Sequence, residues 1–231
     1  ILTGGNDVSS CQSKPGPQLK STIFGSHWRR ADFNEDQALN VERDLFEDEI
    51  VSAAISHKVP ILGVCRGHQF LCSKMGADLV ATENHVAVTH HVKPARDVAL
   101  PQHWKDWMAS NTPCKVNSYH NFAVRMHHGG SFCPIMVSED GCVEAMESAA
   151  GAPRMIGIMW HPERSLPKCG ESENLEYRNA NKDLIRTLFR LDKTVPTRAV
   201  VLCAGQGTRL RPLTNTVPKC MVKFQGHCII D

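Results

Sequence analysis

The apolar positions of the chain change period several times, and each change marks an element. From Asn34 to His57, Leu39, Phe46, Ile50, Ala53 and Ala54 recur at three- and four-residue steps, which predicts a helix with Asn34 or Asp36 able to cap its start. Pro60 then intervenes, and "VPILGV" is a short β-branched run of the kind buried in a parallel sheet. "RGHQFLCSKMGA" has helical spacing that ends at Gly76. Residues 78 to 100 and 114 to 160 read as short strands and turns, among them "KVNSYHNFAV", "GCVEAMESA" and "MIGIMW", which lengthen the sheet or add a small antiparallel patch. From Asn174 to Leu191 the period is helical again, with Leu184, Ile185, Leu188 and Phe189 as an apolar stripe on a charged segment.

The ends of the chain differ from this middle. "ILTGGNDV" is strand-like and runs into a Gly-Gly turn without an initiating methionine, so the chain is expected to be a fragment that starts inside a strand. The following "SSCQSKPGPQLKSTIFGSHWRRADFNED" keeps no period and reads as a loop. "DKTVPT", residues 192–197, is a polar linker, and from Arg198 a new strand leads into a glycine-rich turn. The expected organisation is a domain over 1–191, the linker, and the beginning of a second domain over 198–231.

Composition narrows the function. With 42% apolar residues, 231 residues suffice for a sizeable core. A net charge of +2 provides no basic face for a phosphate backbone, so nucleic acid is not an expected partner. No apolar run approaches the roughly 20 residues that span a bilayer, and the start lacks the order of a signal peptide, which suggests the cytoplasm and no membrane partner. The 10 cysteines are scattered without a CxxC pair, in keeping with a reduced compartment. Among 12 histidines, His85, His90 and His91 form the densest group, but no thiolate or carboxylate lies at ligand spacing, so a polar loop is expected there and no metal.

One thiol stands apart. Cys65 sits in Gly63-Val64-Cys65-Arg66-Gly67, between a strand and a helix, where two glycines allow the sharp bend of a nucleophile elbow. The positive end of the following helix is expected to lower the thiol pKa toward neutrality. A thiolate needs a general base and the base an orienting group, and "GIMWHPER" offers both: His161 after an apolar strand, and Glu163 two residues on to accept the imidazole N–H.

Four segments, "ILTGGNDV", "PILGVCRGHQFL", "VNSYHNFAV" and "GIMWHPER", together resemble the class I glutamine amidotransferases, in particular the branch that hydrolyses γ-glutamyl amides. The resemblance implies an α/β fold, a doubly wound and mostly parallel sheet lacking its N-terminal strands here, with a Cys65-His161-Glu163 triad. It also implies an oxyanion hole from the backbone N–H groups of Gly4, Gly5 and Arg66, and a glutamyl pocket lined by Gln69, Ser118 and His120. Where relatives often carry glutamine, this chain has Phe122. The substrate class implied is a small γ-glutamyl compound, with no cofactor.

The tail, "VVLCAGQGTRLRPLTNTVPKCMV", resembles nucleotidyltransferases that condense a nucleoside triphosphate with a phosphorylated small molecule. That resemblance implies phosphate contacts from Gly205, Gly207, Thr208, Arg209 and Lys219, and Mg2+ only for a complete domain. The combination resembles enzymes of capsular phosphoramidate synthesis and points to γ-glutamyl-CDP-amidate hydrolysis. The alternatives are a hydrolase of γ-glutamyl amines or peptides, a glutaminase feeding ammonia to a partner, and a domain that keeps the fold without activity. The presence of Cys65, His161 and Glu163 together argues against the last.

Overall fold

The computed structural model describes residues 35–96, 99–125, 132–149 and 151–189, together with four short strands outside them. Those strands form two small antiparallel ladders, β1 (Gln18–Lys20) with β2 (His27–Arg29), and β11 (Lys223–Phe224) with β12 (His227–Cys228). The first ladder falls inside the segment whose lack of periodicity predicts a loop. Three-residue strands are too short for an alternation to show.

The central sheet has six strands in the order β3-β10-β9-β8-β5-β6. In chain order these are β3 (Ile61–Val64), β5 (Val86–Pro94), β6 (Lys115–Tyr119), β8 (Phe132–Ser138), β9 (Val143–Ser148) and β10 (Met155–Ile158). A separate pair is made by β4 (Asp78–Ala81) and β7 (Phe122–Arg125). Four helices are described: α1 (Glu35–Ser56), α2 (Arg66–Lys74), α3 (Gln102–Ser110) and α4 (Glu171–Phe189). The class is α/β. Among the described residues β3 and β10 are parallel and the other ladders of the sheet are antiparallel. The antiparallel part is thus larger than the small patch the sequence predicts, because the strands between 115 and 158 follow one another with short connections.

Both faces of the sheet are covered. Leu62 and Val64 of β3 and Ile156 and Ile158 of β10 join one core with Trp104 and Trp107 of α3 and Tyr177, Leu184 and Leu188 of α4. The alternate residues Ile61 and Met155 join a second core with Val51 of α1 and Phe70, Leu71 and Cys72 of α2. This period-2 division is what a sheet buried on both sides requires. α3 was not marked out by the sequence pattern. Its Trp107 stacks on Trp160 at 5.1 Å between ring centroids, and its Trp104 meets Trp160 edge-on. Among the described residues no helix is long and apolar enough to cross a membrane.

α1 spans almost the predicted segment but turns a different face inward. Phe46 is 58% exposed, whereas Asp44, Glu47 and Val51 are buried. The reason lies on α2: the buried Arg66 guanidinium pairs with both Asp44 and Glu47, and Lys74 pairs with Asp48. Two cationic side chains pointing away from the sheet require carboxylates on the helix that covers them. Arg66→Met would leave those acids buried without the guanidinium, and a loss of about 3–5 kcal/mol in urea unfolding free energy is expected. A change under about 1 kcal/mol would contradict this account of α1.

Candidate active site

Cys65 links the end of β3 to the start of α2 with φ of 53° and ψ of −105°. A left-handed backbone at a residue with a side chain is held only where its surroundings leave no alternative. Here the Cys65 N–H donates to the Ile158 carbonyl at 2.8 Å, and the Cys65 carbonyl accepts from Gln69 N–H at 3.0 Å. Two glycines let the helix come down onto the sheet. A Cβ on Gly63 would lie 2.6 Å from the carbonyl carbon and oxygen of Gly67, and one on Gly157 would lie 2.4 Å from His68 Nδ1. Gly63 and Gly157 are register partners across the parallel ladder, so both relieve the same contact.

The thiol is 8% exposed. Burial pushes it up to about 12, outweighing the Arg66 backbone N–H and the charge of Arg164, which act in the opposite direction. This corrects the expectation that the helix end brings the thiol toward neutrality: the helix field is present, but removal from water is the larger effect. At neutral pH burial therefore favours the protonated thiol.

His161 is placed by the neighbouring strand. β10 runs parallel to β3 with Ile158 beside Val64, about 4.8 Å away across the ladder, and His161 follows three residues beyond. Both residues leave the sheet over the same edge. His161 Nδ1 lies 2.7 Å from Glu163 Oε1, which leaves Nε2 as the free basic nitrogen. Burial opposes the Glu163 charge, but the His161 hydrogen bond and the Arg164 cation hold the carboxyl below its usual range. The Glu163 side chain is 59% exposed while His161 is buried. The carboxylate thus orients the imidazole from the solvent side.

The turn that carries His161 is fixed by residues the sequence reading did not single out. Asn117 accepts from His161 N–H at 2.8 Å and donates to the carbonyls of His161, at 2.8 Å, and of Arg164, at 3.0 Å. The Tyr177 hydroxyl donates to the same His161 carbonyl at 3.1 Å, and Tyr119 meets the His161 ring edge-on at 5.8 Å. Asn117 immediately precedes Ser118, so "VNSYH" carried a signal for it; Tyr177 carried none beyond its place on an amphipathic helix.

The expected pocket residues are buried, and Gln69 and Ser118 are turned to protein partners. Gln69 Nε2 donates to the Phe122 carbonyl at 2.8 Å, so the backbone serves there whatever the side chain at 122. Ser118 Oγ donates to the His85 carbonyl at 2.8 Å. His120 is buried beside Glu144, and desolvation draws it down to about 4, so it is neutral. Gly4 and Gly5, and in the tail Gly205, Gly207, Thr208, Arg209 and Lys219, lie outside the described residues.

A strand–elbow–helix with a histidine arriving on the adjacent parallel strand is the arrangement of a class I glutamine amidotransferase-like domain. A glutamine amidotransferase from Thermotoga maritima is similar in fold, with a TM-score of 0.51 at 14% identity over 69% of this chain and 74% of that one. The chain belongs to the Peptidase C26 family, whose model matches residues 21–163. The nucleotidyl transferase model matches residues 198–231. Protein NtpR of Enterococcus hirae is 32% identical over 180 residues, covering 71% of this chain and 65% of its own length. A gamma-glutamyl-CDP-amidate hydrolase of Campylobacter jejuni is 26% identical over 164 residues, covering 71% of this chain and 61% of its own length. The chain therefore spans less than two thirds of the length of either relative. In the tail, a CTP:phosphoglutamine cytidylyltransferase of Campylobacter jejuni is 54% identical over 33 residues, which are 14% of this chain and 13% of that protein.

Because the Cys65 thiol is raised, its reaction with iodoacetamide, followed peptide by peptide in a mass spectrometer, is expected to accelerate with pH up to at least about pH 10. A rate that levels off below about pH 8 would show a thiolate at neutrality and contradict the dominance of burial.

Proposed function

We propose that the chain hydrolyses a γ-glutamyl amide through a Cys65 thioester. In this reading His161 Nε2 takes the Cys65 proton as the sulfur attacks the γ-carbonyl carbon, and the same proton passes to the departing nitrogen as the C–N bond breaks. The Arg66 backbone N–H, with those of Gly4 and Gly5, stabilises the oxyanion. Water, deprotonated by His161, then cleaves the thioester, releasing glutamate and restoring the thiol. Glu163 keeps Nδ1–H directed away from the sulfur and stabilises the imidazolium. Each step uses groups of this chain and water and calls for no cofactor.

The observation that carries this reading is the 2.7 Å His161–Glu163 hydrogen bond in the turn that follows the strand running alongside the elbow. A raised thiol pKa fits a mechanism in which proton removal accompanies attack. We assign the leaving group as a nucleoside diphosphate amidate. The support is the pairing of two likenesses in one chain, to a gamma-glutamyl-CDP-amidate hydrolase and, in the tail, to a CTP:phosphoglutamine cytidylyltransferase. The hydrolase unit would occupy 1–191 in the cytoplasm, joined through 192–197 to a nucleotidyltransferase beginning at 198, whose complete form would need Mg2+. Gln69, Ser118 and His120 line the glutamyl pocket in this reading.

Glutamate release measured with γ-glutamyl-CDP-amidate, a γ-glutamyl amine and glutamine should be fastest for the first by at least about tenfold, a 1.4 kcal/mol preference. Equal turnover of all three would remove the substrate assignment. Cys65→Ala should abolish release, His161→Ala should lower it by about 10²–10⁴-fold, and Glu163→Gln should be milder. A Cys65→Ala protein with a tenth of the original rate would overturn the mechanism.

A further inference from the structure

Beside the elbow, side chains far apart in sequence converge on one buried carboxylate. Glu144, on β9, is 0% exposed, and neither of its carboxylate oxygens has a hydrogen-bond partner among the described residues. Around Oε1 stand His90 Nε2 at 3.6 Å, His85 Nδ1 at 3.9 Å and His120 Nε2 at 3.9 Å. These distances exceed the roughly 2.7–3.2 Å of a hydrogen bond. They approach the spacing of about 3.4 Å between neighbouring donor atoms on a tetrahedral ion with bonds of about 2.0–2.1 Å. One donor atom each from His85, His90 and Glu144 lies within 4.8 Å of the others.

The orientation of His85 supports the same reading. Its Nε2 lies 3.2 Å from Asp140 Oδ2, an acceptor only, so Nε2 carries a proton, and Nδ1 is the ring nitrogen on the side of Glu144. Ser118 Oγ, 3.2 Å from Nδ1, donates its hydrogen to the His85 carbonyl and therefore accepts from Nδ1–H in the metal-free chain, a proton that binding of a metal at Nδ1 would release. A carboxylate behind the far nitrogen of an imidazole is the usual way a metal-binding histidine is oriented. A buried anion with no hydrogen bond is expensive in an apolar interior, and a bound cation neutralises it.

We propose that His85, His90 and Glu144 hold one divalent transition-metal ion, with zinc suited to two imidazoles and a carboxylate. His120 lies outside the three-donor group, with its Nε2 3.9 Å from the same Glu144 oxygen. The ion ties the residue preceding β5, β5 itself and β9 together beneath Ser118. It acts as a staple at the floor of the candidate pocket and takes no part in bond making. Sequence spacing alone points to His91 as much as to His90, but His91 is exposed on the opposite face of β5.

The test uses the chain stripped with a chelator and then titrated with zinc chloride. One equivalent should remain after desalting, by elemental analysis, and raise the thermal midpoint. Cobalt(II) should give visible absorption of tetrahedral intensity without a thiolate charge-transfer band. Glu144→Gln and His90→Ala should each weaken zinc binding by more than about tenfold, while His91→Ala leaves it unchanged. The proposal fails if the original chain retains no stoichiometric zinc. It fails equally if His90→Ala binds as tightly, or if cobalt reports sulfur ligands.

Discussion

The structure depends on how closely the first turn of α2 approaches the sheet. That approach is possible only because Gly63 and Gly157, facing each other across the parallel β3–β10 ladder, present no Cβ to Gly67 and His68. With the helix so low, the chain must turn sharply between strand and helix, and Cys65 takes the left-handed backbone that the turn demands. The elbow is therefore a consequence of helix–sheet distance. Outward, the same helix needs a polar cover, which α1 provides through Asp44 and Glu47.

The candidate catalytic groups are held by backbone contacts more than by one another. Asn117 and Tyr177 clamp the carbonyl and amide of His161, so the imidazole arrives from a turn with little freedom, and Glu163 then selects the tautomer. Such fixed geometry suits a reaction in which the base must act as the sulfur attacks. A thiol buried to this degree is also sheltered from oxidation, since the thiolate is the reactive form.

Much of this was legible in the sequence because it is local. The bounds of α1, the β3–α2 unit ending at Gly76, the stripe of α4 and the proximity of Glu163 to His161 all follow from short spacings. What was not legible depends on distant partners. The buried face of α1 is acidic because of Arg66, which a periodicity count over α1 alone cannot see. α3 is built around two tryptophans whose partner, Trp160, lies beyond five further strands. The thiol pKa was misjudged because a helix dipole can be read from sequence and desolvation cannot. Likewise Glu144 meets His85 and His90 only through the sheet, so a search for ligand spacing passes over it.

The account stands on Cys65 as the atom that takes the acyl group, and trapping that group tests it most directly. A γ-glutamyl substrate mixed with the enzyme and quenched in acid within the first turnover, then digested and sequenced by mass spectrometry, should show a glutamyl thioester on the peptide containing Cys65. Glutamate release with an unmodified Cys65, or an adduct on any other residue, would contradict it.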